Sequence, residues 1–372
     1  MNRSRDMKQS VPDSMKLSPF FTFYIVASSQ IGVGILSYQG NIAKYAGYDS
    51  WISIFFIGAV VSIVVMMIYK MFSVVQGGFV KIHEFVFGKT ISKIFSILAM
   101  VYLLMIAIST IRNYTEIVQV WMFERLSTFW FSLCFLIIVM YAIFGGFRTV
   151  VGMMFFSFFM YLIIFPAFFF TLPYADFSNL LPVWDHSVKE LILSSKAMSF
   201  SMDGFEILLF VYPFIKEPEK SRKWSLFAIL FATLLYVIIA IITFTFFPEE
   251  QLKKNIWASL TIWKIITLPF IERFEYIGIA IWFMIVMPNV ALIIWSVGRL
   301  AKVIFSINQK KFTPFLCGIV LIGCLFLGTR YQIDTFKDIT AYITFYFCYV
   351  YLPILFILVL IRKAVKKRAQ KD

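Results

Sequence analysis

The first long apolar segment of the chain is interrupted by the stretch Gln30-Ile31-Gly32-Val33-Gly34-Ile35-Leu36. Glycine lowers helix propensity by about 1 kcal/mol relative to alanine, and two glycines here lie two residues apart. At membrane depth, a broken backbone is tolerated only where it is buried in protein or lines a cavity. The stretch predicts either the unwound centre of a discontinuous helix, whose free backbone groups hold a small charged solute, or a close helix–helix contact through small residues.

The composition is that of a polytopic membrane protein. Apolar residues make up 61% of the 372 residues and charged residues 15%, whereas a soluble domain is about half apolar and a quarter charged. The chain is polar through Ser18, and the apolar run that follows is too long for the core of a cleavable signal peptide. The four cysteines fall in apolar segments and neither histidine has a Cys or His neighbour, which favours packing roles and predicts no metal site.

Ten apolar runs have about the length that a helix needs to cross a bilayer. They cover residues 19–43, 51–71, 91–112, 128–144, 149–172, 191–215, 224–247, 274–298, 313–328 and 339–361. With the N-terminus in the cytoplasm, 23 of the 34 Lys and Arg residues fall on the inner side, which favours ten spans with both termini cytoplasmic. Because these residues are spread over separate loops, we expect them to meet membrane lipid headgroups and not nucleic acid.

The sixth apolar run contains a second break, Ser199-Phe200-Ser201-Met202-Asp203-Gly204-Phe205-Glu206. Two five-helix halves that each open with a broken helix are typical of inverted-repeat transporters. The sequence therefore predicts an all-α membrane protein of ten transmembrane helices in a 5+5 inverted repeat, with helices one and six broken. The expected organisation is a disordered cytoplasmic arm at 1–18, a transmembrane domain at 19–361 with repeats at about 19–172 and 191–361, and a basic cytoplasmic tail at 362–372.

Asp203 and Glu206 are the acids of this second break. Carboxylates near the bilayer centre are costly and usually mark a functional pathway. Glu206 could accept hydrogen bonds from free amides or from a hydroxyl, or it could carry a proton. Alternatively, it is a buried packing acid paired with Arg112 or a backbone donor. Asp203 could instead cap the second half-helix by accepting from its first amides. No acid–base pair, nucleophile or cofactor motif accompanies the break, so we expect neither an enzyme nor a cofactor.

Several segments resemble a known family. Gly32-Val33-Gly34-Ile35 and Gly204-Phe205-Glu206 resemble the amino acid–polyamine–organocation transporter superfamily. Ala46-Gly47-Tyr48-Asp49-Ser50-Trp51-Ile52 and Ile271-Glu272-Arg273-Phe274-Glu275 are more specific. In this order, from about Leu17 to Arg362, the chain resembles the B subunit of spore germinant receptors, the membrane-embedded nutrient-sensing subunit.

The resemblance implies a leucine-transporter-like fold, a place in the inner membrane of the spore, and recognition of a small nutrient, mainly an amino acid. It also implies association with an A-type membrane subunit and a lipoprotein C subunit. Carried over by position, the ligand cavity involves Gly32, Val33, Gly34, Ile106, Asp203, Gly204 and Glu206. Glu272, Arg273 and Glu275 are expected to serve structure or assembly.

The chain departs from the family pattern at two places. Ser37-Tyr38-Gln39 follows the first break, where relatives often have Leu-Pro, and Asp203 replaces a residue that is usually apolar. An acid at that position favours a cationic or strongly hydrogen-bonding nutrient.

The alternative function is a proton-coupled amino-acid transporter. Sodium coupling is disfavoured because sodium sites need oxygen ligands, and span eight has no Ser or Thr before Ser296. Span five has no lysine that could act as a resident cation, which leaves Glu206 as the proton carrier. An ion channel is disfavoured because the chain lacks a repeated ring-forming pore motif.

Overall fold

A computed structural model describes residues 11–267, 269 and 271–369. These residues are overwhelmingly helical, and an isolated β-bridge joins Leu17 to Ile215. Helices satisfy their backbone hydrogen bonds internally, which suits long apolar runs in lipid. The α-helices are α1 (Phe21–Gln30), α2 (Tyr38–Ala46), α3 (Ser50–Val74), α4 (Phe79–Phe87), α5 (Lys89–Trp121), α6 (Thr128–Phe144), α7 (Phe147–Ile164), α8 (Val188–Ser199), α9 (Leu208–Val211), α10 (Arg222–Phe246), α11 (Glu249–Lys254), α12 (Ala258–Ile265), α13 (Phe274–Phe305), α14 (Gln309–Phe326), α15 (Arg330–Phe345) and α16 (Leu352–Arg368).

Seven helical stretches in the described part of the chain are long and apolar enough to cross a membrane. They are Tyr38–Val74, Lys89–Trp121, Phe147–Tyr174, Pro218–Phe246, Phe274–Phe305, Gln309–Phe326 and Arg330–Arg368. Tyr38–Val74 overlaps the end of predicted span one and all of span two, and each of the other six overlaps a single predicted span. Thr128–Phe144 and Phe205–Phe214 are shorter apolar helices in the places of predicted spans four and six. The chain is thus a multi-pass integral membrane protein built from helices.

The helical ladder is interrupted at both predicted places. After α1 the chain leaves the helix, forms a short 3₁₀ turn at Val33–Leu36, and resumes as α2. After α8, Gly204 adopts a left-handed conformation with φ of +97°, and a 3₁₀ turn at Phe205–Ile207 leads into α9. The two interrupted segments are neighbours, because α2 packs along α8 while α1 packs against α7 and α10.

We call the end of the bundle at which the described part of the chain begins the amino-terminal end. There Leu17 donates its backbone N–H to Phe214 O at 2.8 Å, and Lys216 N donates to Leu17 O at 2.7 Å. The Arg148 guanidinium donates to Lys16 O at 3.0 Å. These contacts hold Lys16 and Leu17 against the bundle, and residues 1–10 of the predicted arm lie outside the described residues.

Two helices complete the frame around the breaks. The long helix α13 packs against α5 and α7, and Pro288 and Asn289 lie at its buried middle. The short amphipathic helix α4 packs against α5 and α16, burying Phe79, Ile82 and His83. Glycines with positive φ flank α4, namely Gly77 at +139° and Gly88 at +84°.

Candidate functional site

A cavity of about 880 Å³ lies between the two breaks and opens at the end of the bundle opposite the amino-terminal end. Exposed Lys44, Lys254 and Asp338 border its mouth. All the residues that the sequence assigned to ligand binding line this one cavity: Gly32, Val33, Gly34, Ile106, Asp203, Gly204 and Glu206. The fold therefore brings together residues from α5 and from both breaks that are up to 174 positions apart in the sequence (Gly32 to Glu206).

The first break presents backbone donors to the cavity. Gly32, Val33 and Gly34 come at the start of a helical turn, where N–H groups have no helix carbonyl to pair with. Within the described part of the chain, no other acceptor contacts these three amides. Tyrosines contact the carbonyl groups just before them, because Tyr161 OH donates to Ile31 O at 2.5 Å and Tyr236 OH lies 3.0 Å from Gln30 O. Tyr236 OH also lies 2.8 Å from Ser201 O of the second break, so its one proton is shared between the two breaks.

The three glycines of the breaks have different surroundings. A Cβ atom added to Gly32 meets nothing within 4 Å, so this position borders open space. A Cβ on Gly34 lies 3.2 Å from Ser201 Oγ, and a Cβ on Gly204 overlaps the carbonyl oxygen of Ser29. Gly34 and Gly204 thus permit the close approach of the two breaks, while Gly32 leaves the cavity open.

Glu206 stabilises the second break. Its side chain is 3% exposed, and both carboxylate oxygens accept hydrogen bonds. Tyr102 OH donates to Oε1 at 2.9 Å, and the Gly204 amide donates to Oε2 at 2.7 Å. Of the two partners considered from the sequence, the backbone donor is present. Arg112 lies elsewhere, since its Nε donates to Leu327 O at 2.8 Å.

Asp203 lines the cavity and is partly exposed to it. The structure does not show the cap considered from the sequence, because Glu206 accepts the Gly204 amide at that place. Among the described residues, no donor from another side chain or amide reaches the Asp203 carboxylate within hydrogen-bond distance. Of the two acids, Asp203 is the one whose oxygens are available to a solute.

The cavity also contains polar residues that the sequence reasoning did not select. Asn289 in α13 donates its side-chain amide to Ser28 O at 2.8 Å, which ties α13 to the end of α1. In the sequence, the signal for this residue was the side-chain amide of Asn289, which stands beside Pro288 in the middle of an apolar span. Tyr102 precedes Ile106 by one helical turn and so lies on the same face of α5. Ser29, Gln30, Thr340, Tyr342 and Thr344 are further lining residues.

Glu272, Arg273 and Glu275 lie away from the cavity, at the start of α13. Arg273 Nε donates to Glu275 Oε1 at 2.9 Å, and its guanidinium lies over the Tyr276 ring at 4.1 Å from the ring centre. Glu275 is 2% exposed, whereas Glu272 is exposed. The structure thus shows a local ion pair with one buried partner.

No group of three or more His, Cys, Asp or Glu side chains in the described ranges is arranged to hold a metal ion.

The family model described as spore germination protein matches residues 16–333. The chain belongs to this family. It is 38% identical to spore germination protein GerQB of Bacillus cereus, over 95% of this chain and 98% of that protein. It is 24% identical to spore germination protein A2 of Bacillus subtilis strain 168, over 88% of this chain and 92% of the relative, and 24% identical to protein B2 of the same strain, over 70% and 72%. The family match confirms the predicted resemblance and supports a role in spore germination.

Proposed function

We propose that this chain is the nutrient-sensing membrane subunit of a spore germinant receptor, and that it binds an amino-acid germinant between the two helix breaks. It resides in the inner membrane of the spore with both termini in the cytoplasm. Its partners are an A-type membrane subunit and a lipoprotein C subunit, to which it signals nutrient binding.

The observation that carries this proposal is the opposite polarity of the two walls of the cavity. The free amides of Gly32, Val33 and Gly34 are hydrogen-bond donors, and the Asp203 carboxyl group is an acceptor that faces the same cavity. A zwitterion matches both walls, with its carboxylate on the amides and its ammonium group on Asp203. Charge-assisted hydrogen bonds of this kind are about twice as strong as neutral ones.

The remaining cavity residues shape the site. Ile106 supplies an apolar wall, and the volume of about 880 Å³ includes both the site and its mouth; small-molecule sites span roughly 300–1,000 Å³. Gly204 and Glu206 hold the second break in place. The Arg273–Glu275 pair fixes the start of α13 and, with Glu272, serves assembly.

The same proposal includes a ten-helix, leucine-transporter-like layout. The repeats are residues 19–172 and 191–361, preceded by a cytoplasmic arm and followed by the basic tail at 362–372. The seven long apolar helices, the shorter helix Thr128–Phe144 and the two interrupted segments support this layout by number and position.

Replacing Gly32 with leucine tests the site. The added side chain enters open space, so we expect the germination response to be abolished while protein abundance stays near normal. The measurement is a nutrient dose-response in spores that carry the variant as their only copy, with quantitative immunoblotting of the same spores. Gly152→Leu is the matched control, because a Cβ there also meets nothing within 4 Å and Gly152 does not line the cavity.

A Gly32→Leu variant that responds at wild-type nutrient concentrations would show that the first break is a packing contact and not a binding site. Equal losses of response in the Gly32 and Gly152 variants would also contradict the proposal, because the effect would then not depend on the cavity.

A further inference from the structure

The last membrane helix contains a π-helical segment, Tyr346–Tyr351, between α15 and α16. A π turn holds one residue more than an α turn, and such turns are rare and frequently mark functional sites. The segment directly follows Thr340, Tyr342 and Thr344, which line the cavity. It therefore continues the wall of the cavity towards the amino-terminal end of the bundle.

The near part of the π segment contacts the residues that hold the second break. Tyr102, the donor to Glu206, packs its ring against Phe347 at 5.0 Å between centres. Tyr349 packs against Phe205 at 6.2 Å. The Tyr349 hydroxyl is shielded from water, lies near the carboxylates of Asp203 and Glu206, and has no hydrogen-bond partner within the described residues. A buried hydroxyl without a hydrogen-bond partner lowers stability by about 1–3 kcal/mol, so the Tyr349 contact lacks a hydrogen bond that would stabilise it.

The far part of the π segment is bonded to α4. His83 is fully buried, and its Nδ1 lies 2.8 Å from Phe79 O. Because a carbonyl oxygen only accepts, Nδ1 carries the proton and Nε2 accepts a hydrogen bond from Tyr351 OH. Burial lowers the pKa of His83 to about 4, which keeps the imidazole neutral near pH 7. Gly77 and Gly88, at the two ends of α4, adopt positive φ, a conformation that glycine takes without strain.

We propose that the π segment Tyr346–Tyr351 couples the charge state of the acid pair to the position of α4, with Tyr349 as the sensing contact and the Tyr351–His83 bond as the output. A cationic group bound to Asp203 changes which hydrogen-bond partners are available to the Tyr349 hydroxyl. Relaxation of the π turn shifts the register of the helix beyond it, which displaces Tyr351 from His83 and releases α4.

This inference rests on the proposed function in one respect, the ligand-facing role of Asp203. Its test needs no nutrient, because Asp203→Asn removes the negative charge as a bound cation would neutralise it. The measurement is hydrogen–deuterium exchange by mass spectrometry on the purified full chain in lipid nanodiscs. We expect Asp203→Asn to raise amide exchange about tenfold in both Tyr346–Tyr351 and Phe79–Phe87, since exchange reports local opening.

Three further variants test whether the coupling passes from Asp203 through the π segment to α4. Tyr351→Phe keeps the ring but breaks the bond to His83, so we expect it to raise exchange in α4 by itself and to remove any further effect of Asp203→Asn there. Tyr349→Phe deletes the unpaired hydroxyl, so we expect slower exchange in both segments. Tyr346→Phe is the matched control, because Tyr346 is exposed on the outer surface of the same segment, and we expect no change.

Unchanged exchange of α4 in Asp203→Asn, with or without a change in the π segment, overturns the proposal. Where Asp203→Asn does not fold, Tyr349→Phe decides alone: slower exchange in both segments supports the coupling, and faster or unchanged exchange in α4 contradicts it. A normal response of the Gly32→Leu variant would reject the binding site while leaving these exchange results in place, so the two failures are distinguishable.

Discussion

The two helix breaks are supported in different ways although both contain glycine. The first break has no charged residue, and its carbonyls are held by hydroxyls from other helices, those of Tyr161 and Tyr236. The second break contains an acid of its own, Glu206, which accepts from the amide of Gly204 two residues earlier and from Tyr102 OH of α5. Other segments also hold its carbonyls, since Gln30 Nε2 donates to Met202 O at 3.1 Å and Tyr236 OH lies 2.8 Å from Ser201 O. Both walls of the cavity are therefore tied to neighbouring helices, and only the second break adds a support from its own sequence.

This difference separates structural glycines from the one that borders the cavity. Gly204 has φ of +97° and touches the backbone of Ser29, while Gly32 has an ordinary negative φ and open space beside it. It also separates two acids in the same break, since Glu206 is fully paired and Asp203 is not. Position in a helix break alone does not predict contact with a ligand; the surroundings of each side chain decide it.

The largest loss of protein is expected for Gly204→Ala. A non-glycine residue at this φ is strained by about 1–2 kcal/mol, and the added Cβ must also displace the Ser29 carbonyl. We expect a total cost of about 3 kcal/mol or more and a strong fall in abundance, measured by immunoblotting and by thermal unfolding of purified protein. Gly32→Ala is the control and should leave both unchanged. Normal abundance of Gly204→Ala would mean that the tight contact between the breaks is not required.

Asp203→Asn should produce the largest loss of response at normal abundance. It removes the charge offered to a ligand without removing a described hydrogen bond. Because the same variant is expected to loosen the π segment and α4 without nutrient, the response is scored as germination above the rate measured without nutrient. We expect the nutrient concentration for the half-maximal nutrient-dependent response to rise about 100-fold, or about 2.7 kcal/mol. Asp338→Asn is the matched control, because Asp338 is an exposed acid at the mouth of the same cavity. Similar shifts in the two variants would point to general electrostatic attraction instead of a contact at the second break.

The sequence predicted both breaks because glycine and carboxylates inside apolar runs are costly and therefore informative. It could not separate the roles of Asp203 and Glu206. The residue that pairs with Glu206, Tyr102, is 104 positions away and looks like any aromatic residue in a membrane helix. Arg112 was the partner considered from charge alone, yet a backbone carbonyl satisfies it. Local pattern thus indicates where a helix breaks, and only tertiary packing determines which side chains support the break.

The π segment shows the same limit in another form. The segment Tyr-Phe-Cys-Tyr-Val-Tyr contains no glycine or proline, and the sequence signal lies just beyond it, at Pro353. A proline cannot donate to the carbonyl four residues earlier, here that of Tyr349, which marks a local departure from α-helical geometry but does not specify a π turn at Tyr346–Tyr351. Its geometry accompanies contacts with residues from distant parts of the chain, including Phe205 and His83. The seven long helices, in contrast, follow directly from runs of apolar residues.

We expect Glu206→Gln to act mainly on the stability of the protein and only weakly on the germination response per molecule of folded protein. A glutamine side chain can still accept from the Gly204 amide, but it can pair with Tyr102 only by donating its NH2 group to the hydroxyl oxygen, and both hydrogen bonds lose the assistance of the carboxylate charge. We expect a loss of about 1–3 kcal/mol in the free energy of unfolding, read from thermal or denaturant unfolding. Glu250→Gln, at an exposed acid, is the control. A variant of normal stability whose response falls as far as that of Asp203→Asn would place Glu206 in direct contact with the nutrient.

The smallest effect is expected at the first break. Tyr161→Phe removes the hydroxyl that donates to Ile31 O, and a single neutral hydrogen bond contributes about 1 kcal/mol. Because Tyr236 holds the adjacent carbonyl of Gln30, the break should keep its shape in the single variant. The double variant Tyr161→Phe/Tyr236→Phe should lose more than the sum of the two single losses, because neighbouring carbonyls that share support are coupled. Unfolding free energies of the four proteins measure this coupling. Strict additivity would show that each tyrosine acts independently, and a loss in Tyr161→Phe as large as that of Glu206→Gln would mean that the first break depends on this single hydrogen bond.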